Sequence, residues 1–398
     1  MNRAALGVAL LVVAVAAVFV LWPAPRVPIQ ATVAVREALA EDRDGFARVL
    51  APRPLDFPED HGPHPDFRTE WWYYTGNLKT AGGRHLGFQL TFFRVALAPR
   101  TEPRASAWAT RQLYVGHFAV TDTAGGRFHA ASRVSRAALG LAGAEATPFR
   151  VWVERWSAEG DGESVRLRAS EGDVALDLAL SPAKPVVLQG DRGLSRKGSE
   201  PGNASLYYSF TRMPASGVVR LGAQTLEVSG EAWMDREWST SALGEGVEGW
   251  DWFAVQLDDG RELMVYVLRR RDGTVDPFSA GTLVAADGTA RRLEAGDVQV
   301  ETLAHWTSPR SGVRYPARWR LRVPSAELRL EIVPRLADQE QPHRGRREQH
   351  RQHDPRDPQP PHLGDGLIDG LGVGQVHGEV ETAHAVSLCD RLVGGGAL

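Results

Sequence analysis

One cysteine, Cys389, is all the thiol the 398 residues contain. Nothing before it can form a disulfide, thiol catalysis is excluded from the body, and a body of this size must rely on its core. Charge of one sign is equally lacking: 46 basic residues stand against 49 acidic ones, a net charge of −3. No field exists to recruit nucleic acid or an anionic surface. No Gly-x-Ser-x-Gly elbow and no glycine-rich phosphate loop occur, so the chain offers neither a serine nucleophile nor a nucleotide site. No cofactor or metal is called for. His61-Gly-Pro-His64 has metal-like spacing but no third ligand beside it. Amphipathic helical periodicity is scarce too.

Only one long apolar run is present. Arg3 precedes residues 4–22, which are apolar throughout and end at Pro23-Ala-Pro25. About 20 such residues span a bilayer. Residues 1–25 therefore read as a signal peptide or membrane anchor. The anchor is favoured, because the run is long for a signal core and no small-x-small site follows. The body is expected outside the cytoplasm: periplasmic, held to the inner membrane by that helix, or secreted. Residues 26–60 read as a linker, with a short amphipathic helix over 35–49.

From residue 69 strand patterns hardly stop. Runs rich in β-branched and aromatic residues cover 69–78, 85–95, 112–121, 150–156, 164–169, 174–180, 204–213, 225–230 and 231–238. Turn residues such as Ala81-Gly-Gly83 and Gly160-Asp-Gly162 separate them. The fold class is all-β, sandwich or barrel. A repeat points to two domains. Trp71, Leu78 and Gly83-Arg84 match Trp250, Leu257 and Gly260-Arg261, about 180 residues later. That spacing suits one antiparallel barrel. The expectation is two tandem lipocalin-like barrels, 61–238 and 239–340, the second short of closure. Trp319 is the last tryptophan, and six of the twelve histidines follow Gln341. Residues 341–398 are expected to be disordered, as a shifted reading frame would explain.

The densest stretch is Ala232-Trp-Met-Asp-Arg-Glu-Trp-Ser-Thr240, followed by Gly249-Trp-Asp-Trp-Phe253. As a strand, it sends Trp233, Asp235 and Glu237 to one face and Met234, Arg236 and Trp238 to the other. Carboxylates sharing a face with an indole need partners. The face is thus a salt-bridged lock or a pocket wall.

These residues, with Asp56-Phe-Pro-Glu-Asp-His-Gly-Pro-His64, Glu70-Trp-Trp-Tyr-Tyr-Thr-Gly76 and the Gly190–Gly198 loop, resemble the AttH-type branch of a lipocalin-like family. That family includes acyclic-carotenoid 1,2-hydratases. The resemblance covers about residues 54–340 and itself implies two consecutive lipocalin-like barrels. It implies an acid/base role for Asp235, in Trp233-Met-Asp235, with tryptophan where those enzymes have tyrosine. Their His-x-Trp partner falls near Leu206-Tyr-Tyr208, so that histidine is missing here. The resemblance also implies an apolar or lipid-like ligand and an ABC exporter as partner.

Asp235, Glu237 and Tyr208 are therefore the candidate catalytic residues. The alternative is that Asp235, Glu237 and Arg236 form structural ion pairs. Trp72, Tyr74, Tyr114, His117, Tyr207, Trp233, Trp250 and Trp252 are the candidate ligand contacts. Strand aromatics are equally expected in a core, and His117 fits a hydrogen-bonded core histidine.

Overall fold

A computed structural model describes residues 45–99, 106–240, 246–341, 374–380 and 383–391. The apolar run and most of the linker lie outside these residues. Of the helix expected over 35–49, residues 45–49 are described, and they form a turn, a bend and irregular chain rather than helix. Among the described residues no helix is long and apolar enough to cross a membrane.

The first body holds strands β1 (Thr69–Lys79), β2 (His85–Ala96), β3 (Gln112–Asp122), β4 (Arg127–Arg136), β5 (Ala142–Glu145), β6 (Phe149–Val153), β7 (Trp156–Gly160), β8 (Val165–Glu171), β9 (Val174–Leu180), β10 (Val187–Leu188), β11 (Leu194–Arg196), β12 (Ala204–Leu221) and β13 (Gln224–Ser239). They form one antiparallel sheet in the order β4-β3-β2-β1-β13-β12-β9-β8-β7-β6-β5, with β10 and β11 also on β12. The sheet curls until its ends face each other. Arg133 of β4 stacks 4.6 Å over the Trp156 ring of β7 and pairs with Glu171 of β8 at 2.7 Å. Gly116 of β3 leaves room for the same ring, since an added Cβ would meet it at 2.9 Å. The result is a nearly closed, barrel-like sheet.

Its interior is filled. Trp72, Tyr74, Phe88, Phe92, Phe118, Trp156 and Trp238 are all buried in one cluster. Each such side chain contributes about 1.5–3 kcal/mol through burial. Period-two alternation supplies it: in β9, Val174, Leu176, Leu178 and Leu180 face in while Ala175, Asp177 and Ala179 do not.

The second body holds β14 (Val247–Leu257), β15 (Glu262–Arg270), β16 (Ala280–Val284), β17 (Ala290–Glu294), β18 (Gln299–Thr307), β19 (Arg314–Val323), β20 (Leu328–Ile332), β21 (Gly374–Val380) and β22 (Ala383–Arg391). Among the described residues these do not close into one hydrogen-bonded wall. They form a six-stranded sheet, β17-β16-β15-β14-β22-β21, and a three-stranded sheet, β18-β19-β20. A second core, with Phe253, Val265 and Leu293 on one side and Trp319, Leu321 and Ile332 on the other, joins them. The repeated opening hairpin holds at the backbone. Gly83 and Gly260 sit at φ 80° and 83°, and each donates to the carbonyl three residues back. Only glycine adopts that conformation freely.

The tail departs locally from the expected disorder. β22 pairs with β14 from Gly249↔Arg391 to Leu257↔Ala383, and β21 pairs with β22. Alternation of Val386 and Leu388 with Ala385 and Ser387 is a strand pattern, hidden behind a proline- and histidine-rich run.

Candidate active site

Strand β13 lies between β1 and β12, with Tyr73 and Ser209 opposite Asp235 and Trp71 and Tyr207 opposite Glu237. The expected alternation holds. Met234 and Trp238 enter the barrel core. Trp233 instead joins a cluster with Tyr73, Tyr207, Trp252 and Tyr266, contributed by both bodies. Asp235 and Glu237 stand on that outer face, between the two sheets.

Asp235 is 4% exposed. Ser209 Oγ donates to its Oδ1 at 2.6 Å, and Trp233 Nε1 donates to the same oxygen at 2.7 Å. Gln189 Nε2 in turn donates to Ser209 Oγ at 2.8 Å. These bonded partners are neutral. Burial pushes the Asp235 carboxyl up to about 7; the bonds from Ser209, Trp233 and Tyr207 oppose it, and the Glu237 charge adds to it. The carboxyl is thus poised to hold or release a proton near neutrality. Around it are indole and phenol rings. Trp233 and Trp252 meet edge-on at 6.3 Å, Tyr73 meets Trp252 at 5.5 Å, and Trp252 Nε1 donates to Tyr207 OH at 3.3 Å.

Glu237 has a different environment. Ser205 Oγ donates to it, and Lys197 Nζ lies 3.4 Å from the same oxygen. The Lys197 ammonium rests 4.0 Å above the Tyr266 ring and 5.7 Å from that of Tyr207. Burial, the largest single influence, would lower the Lys197 pKa, but the Glu237 charge and hydrogen bond together with Tyr266 and Asp235 outweigh it, and the net shift is upward. Ser195 and Tyr266 hydroxyls bond at 3.1 Å, tying the Gly190–Gly198 loop to β15.

Of the ion pairs expected of this stretch, Glu237 makes one with Lys197 on the outer face, and the others run on the inner face through Arg236. Its guanidinium bonds Glu70, which Arg94 also bonds, and all three side chains are fully buried. Arg236 also stacks 4.0 Å over Trp72 and donates to the Gly62 carbonyl. Glu70 is pushed up by burial but held well below the usual carboxylate range by the two guanidiniums. Asp235 is not part of this lock, which corrects the structural ion-pair reading for that residue.

The candidate contacts therefore divide. Trp72, Tyr74, Tyr114 and Tyr208 point into the barrel core. Tyr208 stands opposite Arg236, and its hydroxyl bonds His61 Nδ1 at 2.7 Å, so it does not share a face with Asp235. Tyr207, Trp233 and Trp252 meet at the outer face, with Trp250 partly buried against them. His117 lies in the same transverse row as Asp235, but through Tyr73 and Thr91 it is three strands away, about 14 Å. Its ring packs against Phe93 at 5.3 Å. His61 and His64 have separate partners: His64 bonds Asp60 at 2.8 Å and stacks on Trp238 at 3.8 Å.

Ser205, Ser209, Lys197 and Tyr266 escaped the sequence reading. The two serines alternate with Tyr207, so their shared face was readable, yet the strand opposite them was not.

A curled antiparallel sheet with a filled core, carrying a buried carboxyl on the face turned to a second β body, defines a lipocalin-like all-β protein. The sequence profile of the AttH-like family matches residues 48–347. The chain belongs to that family. It is similar to an AttH-type protein from Nitrosomonas europaea, with 32% identity and a TM-score of 0.70 over 87% of this chain and 99% of that one. It also shares the fold of kievitone hydratase from Nectria haematococca, with 13% identity and a TM-score of 0.59 over 88% of this chain and 98% of that one. No curated protein matches it.

Proposed function

We propose that the protein binds an apolar, unsaturated small molecule of the isoprenoid class between its two β bodies and adds water to one of its double bonds. One observation carries this reading. Asp235 is buried among neutral donors and aromatic rings, with a pKa of about 7. A neutral carboxylic acid there is a proton donor at working pH. In the step, the Asp235 O–H bond breaks and a C–H bond forms at one alkene carbon. The other carbon becomes cationic, and the ring faces of Trp233, Trp252 and Tyr207 are suited to hold it. Water then forms the C–O bond and gives up a proton to a carboxylate. The sum is alkene plus water to alcohol.

The site is closed as it stands. The edge where the Lys197 side chain keeps 18% exposure is the natural entry. The aromatic cluster of Tyr207, Trp233 and Trp252 also suits a second reading, a binding protein without turnover, handing its ligand to an ABC exporter from the periplasmic side. The repeated hairpin supports treating the second body as a second lipocalin-like barrel with a divided wall.

The test uses full-length protein in detergent with lycopene as probe. Wild type is expected to give a product heavier by one water, and Asp235→Asn none. Lycopene that quenches tryptophan fluorescence without gaining water would favour the binding reading instead.

A further inference from the structure

Asp235 and Glu237 occupy alternate positions of one strand face, so their Cα atoms are about 6.7 Å apart. Carboxyls at alternate positions of one strand face stand on the same side of a bound ligand, where one can serve as acid and the other as base. The structure gives these two carboxyls unlike partners. Asp235 receives a hydroxyl and an indole N–H. Glu237 receives a hydroxyl and faces the Lys197 ammonium, itself lodged on the Tyr266 ring. Carboxyls whose surroundings differ in this way take opposite proton-transfer roles.

We infer that the two divide the chemistry: Asp235 gives its proton to the alkene, Glu237 takes one from the attacking water, and Lys197 positions Glu237. The inference rests on the hydration reading above. The balance closes in two transfers. The Asp235 O–H proton becomes the new C–H, water oxygen forms the C–O bond, and a water O–H proton passes to a Glu237 oxygen. The proton on Glu237 then returns to Asp235 through solvent or substrate-site water, restoring both groups. Lys197 touches neither alkene nor water in this scheme; its ammonium, 3.4 Å from a Glu237 oxygen, keeps that carboxyl aimed. The titratable groups facing the pair are Tyr73 of β1, Tyr207 of β12, Tyr266 of β15 and Lys197. The buried Tyr207 phenol is raised well above its usual value, by burial first, so it stays neutral throughout the working range.

Two measurements test this on the full-length protein in detergent. Infrared difference spectroscopy near pH 6 needs no substrate. The protonated-carboxyl band is expected to vanish in Asp235→Asn and persist in Glu237→Gln, while Lys197→Met gains a second such band. A band that disappears only in Glu237→Gln overturns the assignment. Turnover of lycopene in deuterated water then separates the half-reactions. Glu237→Gln is expected to retain deuterium exchange into recovered lycopene but to form alcohol at least ~100-fold more slowly, the usual scale of a lost general base. Asp235→Asn should lose both. Lys197→Met should lower kcat more than it changes KM and raise the acid limb of the pH profile, with Lys197→Arg restoring most of the rate. Hydration by Glu237→Gln at the wild-type rate overturns the division of roles and leaves Asp235 acting alone. Failure of the wild type to exchange or hydrate rejects the hydration reading itself, and these roles with it.

Discussion

Arg236 and Asp235 are neighbours in sequence and meet burial in opposite ways. Arg236 keeps its charge and is paired with Glu70 inside the barrel; Asp235 is pushed toward its neutral form on the outside. The two carboxylates therefore pull stability in opposite directions with pH. Glu70 is held below its unfolded pKa, so it adds stability above about pH 4.3 that is lost as pH falls. Asp235 is raised above an unfolded value of about 3.9, so the unfolded chain releases its proton first. Stability from this group is present below about pH 4 and declines as pH rises to about 7. Three pH units at about 1.4 kcal/mol each make about 4 kcal/mol. Asp235→Asn removes this decline and leaves that of Glu70 untouched. The stability of wild type relative to Asp235→Asn is thus expected to fall across pH 4–7 in urea titrations at stepped pH. A difference that stays level would mean that Asp235 is ionised throughout.

Among the elements, β12 couples the two bodies. A register shift between Phe210 and Met213 interrupts its ladder with β13. The carbonyls of Thr211 and Ala232 there accept from Gln256 Nε2 of β14 at 2.8 and 2.9 Å. Beside them Glu262, the first residue of β15, is fully buried and pairs with Arg212 at 2.6 Å and Lys184 at 2.7 Å. Lys184 also donates to the Ala285 carbonyl at 2.9 Å. A buried carboxylate held by two cations from the other body is a latch. Glu262→Gln would leave both cations short of a counter-charge, at a cost of about 3–5 kcal/mol. Calorimetry of that variant should show the second body melting ahead of the first. A single transition at the wild-type temperature would rule the latch out. Most strands of the first body were readable from their alternation. β4 was not, because its run Arg127-Phe-His-Ala-Ala-Ser-Arg-Val-Ser-Arg136 is mostly polar and half-exposed.

For the whole molecule, the sequence argues that the body lies across a membrane from Arg3, since a positive charge before an apolar span stays inside. An alkaline phosphatase fusion after Pro54 is expected to be active in a bacterial host; an inactive fusion would overturn the export argument. What the sequence determined by itself is local. The all-β class, the opposite faces of Asp235 and Arg236, and the glycine turns of the two hairpins follow from period-two alternation and from which residues tolerate positive φ. The strand facing each side chain depends on register between segments distant in sequence, and only the tertiary structure decided that. It put Ser209 rather than a cation beside Asp235, turned Tyr208 inward to His61, left His117 three strands away, and brought Lys197 to Glu237 from a loop 40 residues earlier. Alternation assigns a face to each residue, but packing between the two bodies decides what that face meets, and so whether a buried carboxyl is paired or poised.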